Sequence, residues 1–183
     1  ADDVNTDWQD LLYRTAHVTS HDIGVTGGSA RGTYNIGIGY YKDESLLPGQ
    51  DYNRLSARAN IEQELGKIFK IGFSSNNMYA TNNGNNLGLY NTLSATPISN
   101  PRNEDGTWKR TIKMPADETW VTTRDIIENL GDKWKDQTKS FGSYNTLWGE
   151  VKIPGVEGLK YRLNLGGNLR SSNGGSYTGE GVF

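Results

Sequence analysis

HDIGVTGGSARGTYNIGIGYYKDE, residues 21 to 44, is the stretch that decides the fold. Side chains on a strand alternate between its two faces. Tyr34, Ile36, Ile38 and Tyr40 therefore fall on one side, and Thr33, Asn35, Gly37 and Gly39 on the other. Just upstream, Ile23 and Val25 oppose Asp22, Gly24 and Thr26 in the same way. Two alternating runs joined by a glycine-rich connection read as a hairpin. One of its sides is apolar and tipped with tyrosine. The other is small and polar, a poor lining for half of a packed core.

The pattern spreads in both directions. Strands are predicted at about Thr19 to Thr26, Thr33 to Lys42, Arg54 to Leu65, Phe69 to Tyr79, Phe141 to Ile153 and Leu159 to Ser172, about six in all. In the third, Leu55, Ala57, Ala59 and Ile61 oppose Arg54, Ser56, Arg58, Asn60 and Glu62. In the last, Tyr161, Leu163, Leu165 and Leu169 oppose Arg162, Asn164, Asn168 and Arg170. A short helix is expected within Val4 to Ala16, capped by Asn or Thr ahead of an acidic first turn. Ala80 to Gln137 shows no strand pattern and is read as one long loop, with a helix expected at Thr122 to Trp134.

Composition agrees with an unusual sheet. Only 34% of the 183 residues are apolar, yet there are 23 Gly, 10 Tyr and 5 Trp. A disordered chain would lack aromatics and carry strong net charge, whereas the formal charge here is -2. Near-neutrality without a basic block gives no reason to expect nucleic acid as a partner. Cysteine is absent, so no disulfide or thiolate metal site holds the fold. No apolar run reaches the ~18 residues of a spanning helix, but closed barrels cross membranes with a weaker signal per strand. Ala1 opens no leader-like stretch, as expected of a processed or excised chain.

Charge decides which side is wet. Arg54, Arg58, Glu62, Lys160, Arg162 and Arg170 share the polar face, and burying even one unpaired ion costs several kcal/mol. Water must cover that face. Strands of this length match the roughly 9 to 11 residues a tilted spanning strand needs. The connections alternate between short (GGSARG, GKI, PGVEG) and long, as in barrels with short periplasmic turns and long extracellular loops. The fold class is therefore read as all-β, part of a transmembrane antiparallel β-barrel. Six strands fall short of the smallest barrels, about eight, so the chain is expected to be part of a larger one. The alternative is a soluble all-β carbohydrate-binding or adhesive module whose apolar faces meet each other. An enzyme such as a β-propeller hydrolase ranks third.

Residues Asn5 to Tyr79 also carry a resemblance. NTDWQDLLYRTA, the GGS turn, YNIGIGY and RANI resemble SusC/RagA-type TonB-dependent transporters of Bacteroidetes at the start of the barrel. Beyond Ala80 the likeness is one of pattern only. The resemblance implies a barrel of roughly 22 strands with an N-terminal plug, energised through TonB, and a SusD-type surface lipoprotein closing the outer mouth. It implies glycans as cargo, or in some members oligopeptides. Neither a plug domain nor a TonB-contacting segment is expected within residues 1–183, so TonB would be reached through a missing N-terminal part. Residues 1–17 are read as a pre-strand helix and loop, and 80–137 as an extracellular loop.

No catalytic, cofactor or metal residue is expected. His17 and His21 would stand about 13 Å apart along a strand, which suits rim positions better than a shared metal. The pairs Asp2 with Asp3, Glu104 with Asp105 and Asp117 with Glu118 lie in polar sequence without a Ser/His/Asp arrangement. GTYNIGIG lies inside a strand, so it does not open a dinucleotide-binding helix. Candidate ligand- or partner-binding residues are the loop aromatics Tyr90, Trp108, Trp120 and Trp134, whose flat rings suit stacking on sugars or packing on a partner. Arg58 and Trp148, with Glu150 and Arg162, are candidates for the lumen wall.

Overall fold

The computed structural model describes residues 4–84, 95–113, 120–122 and 133–180. One helix, α1 (Trp8–Leu12), precedes β1 (Val18–Ser29), β2 (Gly32–Glu44), β3 (Asp51–Leu65) and β4 (Phe69–Asn83). Then come the short β5 (Thr111–Lys113) and β6 (Trp120–Thr122), followed by β7 (Trp134–Lys152) and β8 (Lys160–Thr178). Six of the strands form one sheet in the order β1-β2-β3-β4-β7-β8, and β5 pairs with β6 in a separate ribbon. Every pairing is antiparallel.

The links alternate between the two ends of the sheet, and the β7–β8 link, Ile153 to Leu159, lies at the same end as the two shortest. Ala30 and Arg31 join β1 to β2, and Gly66 to Ile68 join β3 to β4, with Gly66 in the left-handed region at φ 73°. At the other end Ser45 to Gln50 and the long link over residues 84 to 133 make the connections.

Four expectations are corrected. The strands run past their predicted ends: β4 continues to Asn83, β7 begins at Trp134, and β8 continues through Asn173 to Thr178. Apart from Ala80, Trp134 and Tyr177 these extensions are polar, so no alternation marks them. The long link also holds the β5–β6 ribbon, whose three-residue strands carry too little pattern to read. The helix expected over Thr122 to Trp134 has both ends in strands, Thr122 in β6 and Trp134 in β7, and residues 123–132 lie outside the described part. At the N-terminus the helix is shorter than Val4 to Ala16: the Asp7 carboxylate accepts from the N–H groups of Gln9 and Asp10, both at 3.0 Å, and Tyr13 has already turned extended.

The apolar face is uncovered. Ile36 is 46% exposed, Leu55 51% and Leu163 51%. Among the described residues no second layer lies over them, unlike the packed faces of a sandwich. Along β4 this face runs from Phe69 to Tyr79, about 33 Å of strand. Tilted as barrel strands are, that length matches an apolar band about 25 Å tall. The buried clusters are small and lie with the helix and loops: Trp8 with Ile112, flanked by Leu11 and Ala95, and Leu12 with Leu47, flanked by Tyr13 and Trp134. Trp8 Nε1–H donates to the Thr96 carbonyl at 2.9 Å, and Thr6 donates its N–H to Pro97 and its hydroxyl to Ser99. Helix α1 is thereby tied to the long link.

Candidate functional site

Residues directly opposite one another in an antiparallel pair point to the same face. Register therefore assembles the wet face rung by rung. Near the short turns one rung reads Glu64, Lys70, Glu150, Arg162 across β3, β4, β7 and β8, alternating in charge at every step. The next rung reads Glu62, Gly72, Trp148, Asn164.

The charges settle diagonally. Lys70 Nζ lies 2.7 Å from Glu62, and Lys160 Nζ 3.3 Å from Glu150. The Arg162 guanidinium instead stacks on the Trp148 ring at 3.9 Å, while its Nε–H donates to Asn164 Oδ1 at 3.3 Å. Lys70 approaches the same ring at 5.6 Å. Trp148 lies flat because its strand neighbour is Gly72: any Cβ there would run into the indole. Glycine in a strand often marks such a close approach. The resulting concavity of about 550 Å³ adds Arg31, Lys67 and Lys152 to these residues, so six cations face three carboxylates. Exposed ion pairs of this kind contribute only ~0–1 kcal/mol each. What the arrangement offers is a polar, net-positive surface with one flat aromatic plate.

Of the sequence candidates, register joins Trp148, Glu150 and Arg162 here. Arg58 stands higher on the wet face, opposite Gly37 and Asn76, its side chain lying over Gly37, where a Cβ would come within 2.8 Å of Nε. Sequence reasoning missed Lys70, Lys152, Lys67 and Arg31. Alternation put Lys70 on the right face, but only the β4–β7 register brings it beside Trp148.

The loop aromatics are dispersed. Trp108 sits in a tight hairpin, bridged to Arg102, whose guanidinium lies 3.8 Å above its ring and donates from Nη1 to the Gly106 carbonyl at 2.8 Å. At the tip the Asp105 carboxylate accepts from the Thr107 hydroxyl at 2.6 Å and the Thr107 N–H at 3.0 Å. Those two bonds hold its carboxyl below the usual carboxylate range. Trp134 packs half-buried against Leu12 and Leu47. The backbone of Trp120 pairs with Lys113, and Tyr90 lies outside the described residues. Only His21 lies within β1; His17 precedes it, its carbonyl accepting from the Glu44 N–H at 3.0 Å. Glu104 is at the hairpin tip with Asp105, whereas Asp2, Asp3, Asp117 and Glu118 fall outside the described residues.

No family model matches the chain. TonB-dependent receptor P26 of Formosa agariphila is 28% identical over 104 residues, 57% of this chain and 10% of that protein. TonB-dependent receptor SusC of Bacteroides thetaiotaomicron is 35% identical over 58 residues, 32% of this chain and 6% of that protein. The matches thus span a tenth or less of these relatives. Among solved structures, the RagAB peptide importer in its closed-closed state superposes with a TM-score of 0.77 at 18% identity, covering 95% of this chain and 20% of that one. The RagAB peptide transporter gives 0.75 at 20% identity, with the same coverage. The fold is that of a barrel segment in such transporters, and the resemblance read from the sequence is borne out.

Proposed function

We propose that the chain is a stretch of barrel wall from a TonB-dependent importer in the outer membrane of a Gram-negative bacterium. The parent protein moves nutrients through a gated lumen and makes or breaks no bond. One observation carries this reading: six long strands leave an apolar face open on one side, with Leu163 51% exposed, while Arg and Lys crowd the other. Outer-membrane lipid covers the first face and water the second. The unpaired flanks of β1 and β8 continue into further strands, since open edges are not tolerated in hydrocarbon.

Within that frame the Trp148 cluster and Arg58 line the lumen and face a plug, and the ends bearing α1, Leu47 and the Trp108 hairpin face outward. Trp108, Trp120 and Tyr90 are the loop aromatics offered to cargo or to a SusD-type lipoprotein lid. Glycans are the cargo that the sequence resemblance supports. Likeness to the RagAB peptide importer favours oligopeptides as a second reading.

Topology is the test. In intact cells a membrane-impermeant maleimide should label Glu104→Cys in the hairpin and leave Ala30→Cys in the short turn unlabelled. Labelling of Ala30→Cys alone would invert the assignment. In purified protein, binding of oligosaccharides against oligopeptides, measured by calorimetry, decides between the two cargoes.

A further inference from the structure

The apolar face contains a polar island. Midway along β4 and β7, Ser75 stands opposite Asn145 and Asn77 opposite Ser143. Their side chains form a closed cycle of hydrogen bonds. The Ser75 hydroxyl donates to Asn145 Oδ1 at 2.6 Å, and Asn145 Nδ2 donates to Ser143 Oγ at 2.8 Å. The Ser143 hydroxyl donates to Asn77 Oδ1 at 2.6 Å, and Asn77 Nδ2 donates back to Ser75 Oγ at 2.8 Å. Each member gives one bond and accepts one. Both serines are buried, at 8% and 9% exposure, and Phe73, Tyr79, Phe141 and Leu147 follow along the same face of the two strands.

We infer that this ring is a register lock for β4 against β7. The inference rests on the membrane reading above, because the lock draws its strength from hydrocarbon, where an unsatisfied polar group is costly. Register needs such a device here. A one-residue slip turns every side chain to the wrong face and is excluded by the apolar pattern. A two-residue slip preserves the faces, so that pattern does not forbid it. Elsewhere short turns fix register, as at Ala30 and Arg31 or at Gly66 to Ile68, but β4 and β7 are joined by the long link over residues 84 to 133.

Slipping by two residues in either direction breaks the cycle. One direction sets Asn77 against Phe141 and Asn145 against Phe73; the other sets Ser75 against Leu147 and Ser143 against Tyr79. Each leaves amide or hydroxyl groups facing rings or alkyl chains in lipid.

The test uses cysteine pairs in the full-length barrel that carries this segment. In the native background oxidation should join S74C to T146C, which are partners, and leave the slipped pairs S74C/Y144C and N76C/T146C apart. With N77V/N145V added, slipped disulfide should rise on the order of tenfold, as loss of hydrogen bonds of ordinary net strength implies. The exchange variant S75N/N77S/S143N/N145S keeps an Asn opposite a Ser on both rungs and should restore in-register pairing. If N77V/N145V fails to assemble, assembly of the exchange variant in register supports the lock. Unchanged slipped yields in N77V/N145V, or slippage or failed assembly of the exchange variant, would overturn it. A lipid-borne carbene probe that labels Phe73 and Leu147 supports the membrane reading. Absence of that labelling would sink the membrane premise, and the disulfide ratios would still decide the register.

Discussion

The two faces of the β4–β7 junction treat polar groups in opposite ways. On the apolar face four polar side chains close a ring and leave Ser75 and Ser143 buried. On the wet face Lys70 pairs with Glu62 at 2.7 Å and Lys160 with Glu150 at 3.3 Å, while Lys70 and Arg162 lie 5.6 and 3.9 Å from the Trp148 ring around an open concavity. The same backbone register builds both. What differs is the solvent: water tolerates incomplete pairing, and hydrocarbon does not.

The strongest way to break that contrast is to place one charge on each face. Leu165→Arg, on the apolar face and 57% exposed, should cost about 2–4 kcal/mol if it lies near the bilayer midplane. Asn168→Arg, on the wet face of the same strand, should change stability by no more than about 0.5 kcal/mol. Urea unfolding into and out of lipid vesicles measures both. Equal tolerance of the two would mean that both faces are wet.

Next in size is a steric probe of the wet face. Gly72→Ala drives a Cβ into the Trp148 indole and should cost about 1–3 kcal/mol, as overpacking does. In a Trp148→Leu background most of that cost should vanish. A double-mutant cycle with indole fluorescence checks this, and additive costs would show that the ring does not lie over Gly72.

A smaller effect sharpens the outer end. Trp8→Phe removes the bond from Nε1 to the Thr96 carbonyl and should cost about 0.5–1.5 kcal/mol. It should speed amide hydrogen exchange in residues 95–112 while leaving the six-stranded sheet unaffected.

The smallest effect is a titration. The Asp105 carboxyl is held low by Thr107, so its contribution to the hairpin is present above the ordinary Asp range. It is lost as pH falls through the lowered value. The Thr107 amide resonance should therefore move only at acid pH, below the roughly 3.9 of a free Asp side chain. A midpoint at or above that value would contradict the two bonds.

How much of this was legible in the sequence varied with how each residue is stabilised. Tyr34, Ile36, Ile38 and Tyr40, or Leu163 and Leu165, announce face and strand together because lipid acts on each side chain separately. The strand ends at Asp51–Asn53, Asn82–Asn83 and Asn173–Thr178 carry no such mark, since they are held by backbone pairing and by polar side-chain bonds such as Asn83 to Asp51 and Gln137 to Asn83, which alternation does not show. Ser75 and Asn77 look like a fault in the apolar alternation of β4 until Ser143 and Asn145 are placed opposite them. Trp148 was readable as a wet-face aromatic. Its setting between Lys70 and Arg162 was not, because three strands contribute to it and no spacing within one strand encodes their register. The Arg102–Trp108 stack was hidden for a simpler reason: only the turn through Gly106, at φ 84°, brings the two together.

Among the described residues the outer flanks of β1 and β8 have no partner strand, which carries a practical consequence. Each offers a row of unanswered amide and carbonyl groups beside a greasy surface, the combination that recruits further copies side by side. Produced in isolation, the segment would string itself into ribbons or precipitate, and any affinity recorded on such material would belong to the assembly. Work on this stretch should therefore begin from the finished cylinder, where those flanks are already spoken for.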